Sequence, residues 1–93
     1  MLTVTRKAAA ILKAARAAEG ASQDAGIRLQ RRETTDGSKI SVGFAFSDEP
    51  DPADEAFEQE GLRIFVEHVL VKRLDGRTLD AHEAVGKRKL VFR

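Results

Sequence analysis

The pattern that most narrows the possible folds is an alternation of large apolar residues with smaller or polar ones on both sides of one short connection. In two runs, 26–30 and 40–47, a large apolar side chain occupies every second position. These side chains are Ile27, Leu29, Ile40, Val42, Phe44 and Phe46. A period of two is typical of strands with one buried face, and Asp36-Gly37 between the runs suits a tight turn. The sequence therefore predicts a β-hairpin across residues 26–47.

An alanine-rich helix is predicted ahead of this hairpin. Thr5 follows a short predicted strand at residues 2–4, and its hydroxyl can accept a hydrogen bond from a free amide of the first helical turn. Residues 6–19 then have helical apolar spacing, and Gly20 can end the helix in a left-handed conformation. The predicted buried face consists of Ala8, Ile11, Leu12, Ala15 and Ala18.

The second half of the chain indicates shorter elements. An acidic connection with two prolines, residues 48–54, leads into a second predicted hairpin with strands at 56–58 and 62–66. Its predicted turn is Glu60-Gly61, its buried face is Leu62, Ile64 and Val66, and the later elements are a short helix at 69–74 and strands at 78–80 and 89–92. One early helix, one short later helix and six or seven short strands predict a single domain, residues 1–93, that is α+β and mainly β.

Composition excludes several classes of function. The chain has no cysteine, which removes disulfides, thiolate metal sites and thiol nucleophiles together. Its 16 basic and 15 acidic residues give a net charge of +1, too small to predict nucleic-acid or membrane binding. The longest apolar run near the start, residues 8–12, is too short for a secretion signal or a membrane span, so we expect a cytoplasmic protein. Neither a nucleophile elbow nor a glycine-rich phosphate loop is present, so we expect no enzyme and no catalytic residues.

The histidines are the residues most suited to metal binding. His82 and Asp80 would share one face if their strand continues, and Glu83 is adjacent. Together they predict a metal site only as an alternative, because a defined site needs three or four convergent ligands. A solvated strand edge is the other interpretation. His68, at the start of the short helix, suits a capping or surface role.

Charged clusters carry weaker hypotheses. The acidic stretch 48–60 lacks the residue order of a calcium loop, so it is interpreted as a solvated loop. The basic residues Arg31-Arg32 and Lys87–Lys89, with Arg93, lack interleaved aromatic residues. They leave nucleic-acid binding as a second alternative, against the simpler role of protecting strand edges from self-association.

Four segments of the chain, in order, match the pattern of a known family. They are Met1-Leu2-Thr3-Val4-Thr5 before the alanine-rich helix, Gly26-Ile27-Arg28-Leu29, the run from Asp48-Glu49-Pro50 through residues 54–67, and Leu74-Asp75-Gly76-Arg77-Thr78-Leu79-Asp80. Their order and spacing resemble the HesB/IscA family of A-type iron–sulfur carrier proteins. This resemblance implies packed mixed sheets and a cluster or iron ion held by three cysteines, since such clusters are bound overwhelmingly through cysteine sulfur.

The resemblance also implies that the ligands are missing. Gly37 takes the position of the first family cysteine, with Ser38 where a serine usually follows it, and the two later cysteines would fall beyond Arg93. No residue is carried over as a cluster ligand, and no cofactor is expected. We therefore expect a non-catalytic HesB/IscA-like domain that acts through a protein or ligand interaction, as a homo-oligomer or with a protein partner. Iron bound by histidine and carboxylate ligands is the alternative.

Overall fold

The computed structural model describes residues 1–33, 40–84 and 87–93, so the predicted Asp36-Gly37 turn lies outside the described residues. Within them the elements are β1 Thr3–Val4, α1 Arg6–Ala18, β2 Gly26–Glu33, β3 Ile40–Ser47, β4 Glu55–Gln59, β5 Leu62–Val66, a 3₁₀ turn His68–Leu70, α2 Val71–Leu74, β6 Thr78–Ala84 and β7 Lys87–Phe92. The predicted fold class, α+β and mainly β, is confirmed. The last two strands are longer than predicted, and the predicted short helix begins as a 3₁₀ turn.

The strands form two mixed sheets. One sheet has the order β1-β6-β7 and the other the order β3-β2-β5-β4. The β1–β6 and β2–β5 pairs are parallel, whereas the remaining pairs are antiparallel. A parallel pair needs a crossover connection. The connection from β1 to β6 contains α1 and the whole of the four-stranded sheet. The edge strands in this described topology are β1, β7, β3 and β4.

Both predicted hairpins are confirmed. Strands β2 and β3 pair from Gly26↔Ser47 to Glu33↔Ile40. Strands β4 and β5 pair from Glu55↔Val66 to Gln59↔Leu62, around a two-residue turn in which Glu60 and Gly61 have φ of 53° and 70°. Left-handed backbone at both turn positions matches the right-handed twist of the flanking strands. The turn therefore fixes the register of this hairpin.

Helix α1 begins at Arg6 as predicted and ends at Ala18, one residue before the predicted end, and its buried face is shorter. The Thr5 hydroxyl accepts a hydrogen bond from the Ala8 amide at 3.2 Å, and Gly20 has a φ of 73°. Only Ala8, Ala9 and Leu12 are buried, so Ala18, predicted to be buried, is instead exposed. Helical periodicity identifies the face that points inward, but it does not show how far the covering sheet extends along the helix.

The core lies between the two sheets and under the first half of α1. It is formed by Leu2, Val4, Ala8, Ala9, Leu12, Ile27, Leu29, Leu62, Ile64, Val66, Leu70, Leu74 and Leu79. The predicted inward face of β5 is thus confirmed. The core is aliphatic, and the aromatic rings of Phe44, Phe57 and Phe92 are only partly buried against it.

The side chain of Gln59, in β4, joins the two sheets through hydrogen bonds to Val4 in β1 and to Leu2 just before it. The Val4 amide donates to Gln59 Oε1 at 2.7 Å, and Gln59 Nε2 donates to the Leu2 carbonyl at 2.6 Å. On its other side β1 is bonded to β6, where the Thr3 and Thr5 amides donate to backbone carbonyls. The amide of Gln59 therefore takes the place of a neighbouring peptide unit for β1, and it satisfies two backbone groups next to the core.

Candidate functional site

Asp80 and His82, the residues predicted from the sequence as metal ligands, lie on one strand. Asp80 and His82 are both in β6, which continues through Ala84, so alternation places them on the same face. His82 is exposed, and its cross-strand partner is Lys89 in β7. Gly37 lies outside the described residues, as does the side chain of Glu83.

The carboxylate of Asp80 already has protein partners. Its Oδ1 accepts hydrogen bonds from the Ala81 amide at 2.8 Å and the Thr5 hydroxyl at 2.9 Å, and its Oδ2 lies 3.1 Å from the Arg93 guanidinium. These contacts, first the Ala81 amide and then the Thr5 hydroxyl, hold the pKa of Asp80 below its usual range. Asp80 thus ties the start of α1 to β6.

A wider metal-binding group does not form in the described part of the chain. Among residues 1–33, 40–84 and 87–93, no three histidine, aspartate or glutamate side chains are arranged to hold a metal ion. A cysteine-bound cluster does not fit this chain either, because it contains no cysteine. The pairing of His82 with Asp80 as metal ligands stays a prediction.

The second histidine and the two basic clusters, which were considered for other roles, lie on different elements of the fold. His68 opens the 3₁₀ turn and is exposed. Arg31 and Arg32 are exposed near the end of β2 in the four-stranded sheet, whereas Lys89 is exposed on β7 in the three-stranded sheet. The two basic clusters therefore belong to different sheets.

The acidic connection is exposed at residues 48–53, as a solvated loop would be, but the carboxylate at its end, Asp54, is covered. The Asp54 side chain is 1% exposed, and Arg28 on β2 donates to both of its oxygens, at 2.9 Å and 3.1 Å. Arg28 also bonds Gln30 Oε1 at 2.9 Å and pairs with Asp51 at 2.8 Å. Burial tends to raise the pKa of Asp54, but the hydrogen bonds from Arg28 and the Asp51 amide lower it overall. We call this pair the Arg28–Asp54 clasp.

The clasp lies beside a buried aromatic ring, Phe65, on the outer face of the four-stranded sheet. Phe65 pairs with Arg28 across the β2–β5 ladder and is 2% exposed, although alternation placed it on the wetter face. A Cβ atom at Gly26 would lie 2.6 Å from the Phe65 ring, so glycine is needed for this contact. The guanidinium of Arg63 lies 5.1 Å from the ring centroid, and it donates to the carbonyls of Asp24 and Asp48. The connection between β3 and β4 is thus held at this face by the ion pairs of Arg28 and by the hydrogen bond from Arg63 to the Asp48 carbonyl.

A cavity of about 190 Å³ opens between β4, β5, α2 and the amino-terminal segment. Its lining is Met1, Leu2, Glu55, Phe57, Val66, Val71, Lys72, Leu74 and Asp75. Sequence reasoning missed this cavity, because its residues come from three separate parts of the chain. No local pattern joins them.

The edge strand β3 has an uncharged sequence with a partly buried apolar row. Val42, Phe44 and Phe46 pack against the core without being fully covered. The Phe44 ring stacks on Phe92 of the other sheet, with centroids 6.4 Å apart and an interplanar angle of 6°. This contact joins β3 to β7, the edge strands of the two sheets.

Comparisons with known proteins identify the fold. No family model matches the sequence, and no curated protein matches it. A crystal structure of IscA with the [2Fe-2S] cluster is similar over all of this chain and 84% of that one, with 21% identity and a TM-score of 0.85. A structure of Escherichia coli SufA, involved in the biosynthesis of iron–sulfur clusters, is similar over 99% of this chain and 78% of that one, with 24% identity and a TM-score of 0.75.

In the described residues, no helix is long and apolar enough to cross a membrane. The chain aligns with IscA along its whole length while containing no cysteine. The chain therefore has the IscA and SufA fold, without the thiolate ligands that the sequence resemblance associates with it.

Proposed function

We propose that this chain is a divergent, non-catalytic HesB/IscA-like protein that has lost cysteine-based cluster binding and acts through a protein or ligand interaction. The observation that carries the proposal is a whole-chain match to IscA in a chain with no cysteine. Iron–sulfur clusters are held overwhelmingly by cysteine thiolates, so a chain that has this fold but no cysteine lacks the usual cluster ligands. Its surface can still bind a protein or a ligand.

Reconstitution tests the loss of cluster binding directly. After anaerobic incubation with iron and sulfide, and desalting, we expect a colourless protein without stoichiometric iron, because no thiolate is available. The measurement is visible absorption together with metal analysis of protein made without a histidine tag. A stable absorption band at stoichiometric iron would overturn the proposal.

The same metal analysis addresses iron held by nitrogen and oxygen ligands, which is the alternative. If iron is found without a cluster band, a His82→Ala variant shows whether the iron is bound by His82 or elsewhere in the protein. Loss of the iron in that variant would establish a histidine and carboxylate site on β6. Retained iron would place the metal elsewhere and reject this site. We expect no iron in either the unaltered protein or the variant.

Self-association is the interaction that β3 supports. Its sequence from Ile40 to Ser47 has no charge, so two copies of this edge would meet without like-charge repulsion. The edge strand β7, by contrast, contains Lys87, Arg88 and Lys89, which would repel a second copy of itself. Half-covered apolar side chains on β3 would gain burial in a symmetric pair.

We therefore expect a dimer in sedimentation equilibrium at micromolar concentrations and above. The hydrophobic burial along β3 would make the dimer persist at high salt, whereas an association through charged surfaces would weaken as salt is added. A protein that sediments as a monomer throughout this concentration range would contradict the proposed pairing.

A further inference from the structure

The edge of β4 can accept another strand. In an antiparallel hairpin closed by a two-residue turn, the closing pair Gln59–Leu62 is hydrogen-bonded, and every second pair after it is also bonded. Ala56 and Glu58 fall between these pairs, so their amide and carbonyl groups point away from β5. Both residues are exposed, and β4 is the last strand of its sheet in the described topology. Such an edge is a template for an added strand.

The cavity adjoins this edge on one face only. Phe57 pairs with Ile64 and shares its face, so Phe57 points towards the core side of β4 and lines the cavity with Val66 and Leu74. A strand added beside β4 would place every second side chain on that same side. The cavity volume of about 190 Å³ is many times the roughly 15 Å³ that one water molecule requires. An aliphatic side chain from the added strand can therefore enter it.

The negative charge of β4 indicates which polar side chains the added strand should carry. Strand β4 contains Glu55 and Glu58, with Glu60 in the following turn, and no lysine or arginine. Glu58 pairs with Arg63 on the outer face, opposite to the cavity side. An added strand would bring its alternate side chains next to Glu58, so lysine or arginine at those positions would be attracted and glutamate repelled. Lys72 is the basic residue at the rim of the cavity.

We propose that the edge of β4 and the adjoining cavity form a docking site for an extended segment of a partner protein. The segment alternates aliphatic residues, one of which enters the cavity beside Phe57, with basic residues that face Glu58. This inference rests on the proposed function, since it identifies the surface and the partner class through which the domain would act. Backbone hydrogen bonds to Ala56 and Glu58 supply affinity, and the cavity and the carboxylates supply selectivity.

The test uses a short fluorescein-labelled peptide of alternating lysine and leucine residues and measures fluorescence polarisation with the full chain. We expect saturable binding. Two altered peptides separate the contributions: serine in place of leucine empties the cavity, and N-methylation of alternate amides removes the donors of the added strand. Each altered peptide is expected to bind about tenfold more weakly or worse, which corresponds to a loss of about 1.4 kcal/mol of binding free energy.

Protein variants then locate the site. Glu58→Lys reverses the charge beside the edge and Val71→Phe fills the cavity, and both should reduce affinity about tenfold. Glu19→Lys is the matched control, because it makes the same charge change on an exposed residue after α1. It should bind the peptide as the unaltered chain does. Thermal unfolding of each variant verifies that the fold is kept.

The outcomes are decisive in both directions. Absence of binding, equal binding of the serine or N-methylated peptide, or equal loss in Glu19→Lys would overturn the β4 site. None of these results bears on cluster loss, which fails only if reconstitution yields a stable cluster. The two proposals can therefore fail separately.

Discussion

Replacing Arg28 with methionine is expected to lower the free energy of unfolding by about 2 kcal/mol at neutral pH, between the roughly 0–1 kcal/mol of an exposed ion pair and the roughly 3–5 kcal/mol for breaking a buried one. The carboxylate of Asp54 is 1% exposed, whereas Arg28 is 18% exposed, so the variant leaves Asp54 buried without its guanidinium. Methionine keeps much of the apolar stem of the arginine, and the loss therefore measures the unpaired carboxylate rather than a packing defect. Urea unfolding of the purified chain is the measurement.

Two variants are controls for this result. Arg28→Lys keeps the charge but loses the two-pronged contact to Asp54, and we expect an intermediate loss. Arg31→Met makes the same chemical change on an exposed residue of the same strand, where we expect almost no loss. If Arg28→Met were no more harmful than Arg31→Met, the clasp would not stabilise the connection across Phe65.

The pH dependence of the two proteins should differ in sign near the carboxyl pKa. In the unaltered chain the pKa of Asp54 is lowered, so its stabilising contribution is complete above the ordinary value of about 3.9 and is lost as the pH falls through the folded value. In Arg28→Met only burial and the Asp51 amide remain, and burial raises the pKa. Protonation then relieves the buried charge, so the stability gap between the two proteins should narrow as the pH falls towards 4. A gap that is constant with pH would contradict the assignment to Asp54.

The second large effect is expected at Gln59, where an alanine substitution should cost about 2–6 kcal/mol, since it orphans two buried groups at about 1–3 kcal/mol each. The Gln59 amide bonds the Val4 amide and the Leu2 carbonyl, and both residues are 3% exposed. Truncation leaves the Val4 amide of β1, and the Leu2 carbonyl just before β1, without a partner. It also removes the hydrogen bonds that join β1 to β4.

The donor and the acceptor of Gln59 can be tested separately. Gln59→Glu keeps an acceptor for the Val4 amide but offers the Leu2 carbonyl no donor at neutral pH. We expect it to be destabilised, and to recover stability at acidic pH when the carboxyl is protonated. Glu58→Ala, on the exposed neighbouring position, is the matched control. An equal loss in Glu58→Ala and Gln59→Ala, measured by chemical unfolding, would remove this role from Gln59.

The local parts of this fold could be predicted because their causes are local. The Thr5 cap, the left-handed Gly20 and the Glu60-Gly61 turn each depend on the chemistry of a few adjacent residues. Strand alternation identified the inward faces for the same reason. The absence of cysteine, read from the sequence alone, excluded thiolate chemistry, and the segment resemblance led to the fold that IscA and SufA share.

Only the tertiary structure decided which polar groups are buried and which surfaces remain open. Alternation placed Phe65 on the wetter face, and the acidic composition placed Asp54 in a solvated loop. Phe65 is nevertheless 2% exposed and the Asp54 side chain 1% exposed, because Arg28 on β2 holds the end of the β3–β4 connection against the outer face. Likewise Gln59 and Leu2 are far apart in sequence, and their contact exists only because two sheets meet. A period of two describes which side of a strand a residue faces. What covers that side depends on segments distant in the chain, and no local pattern contains that information.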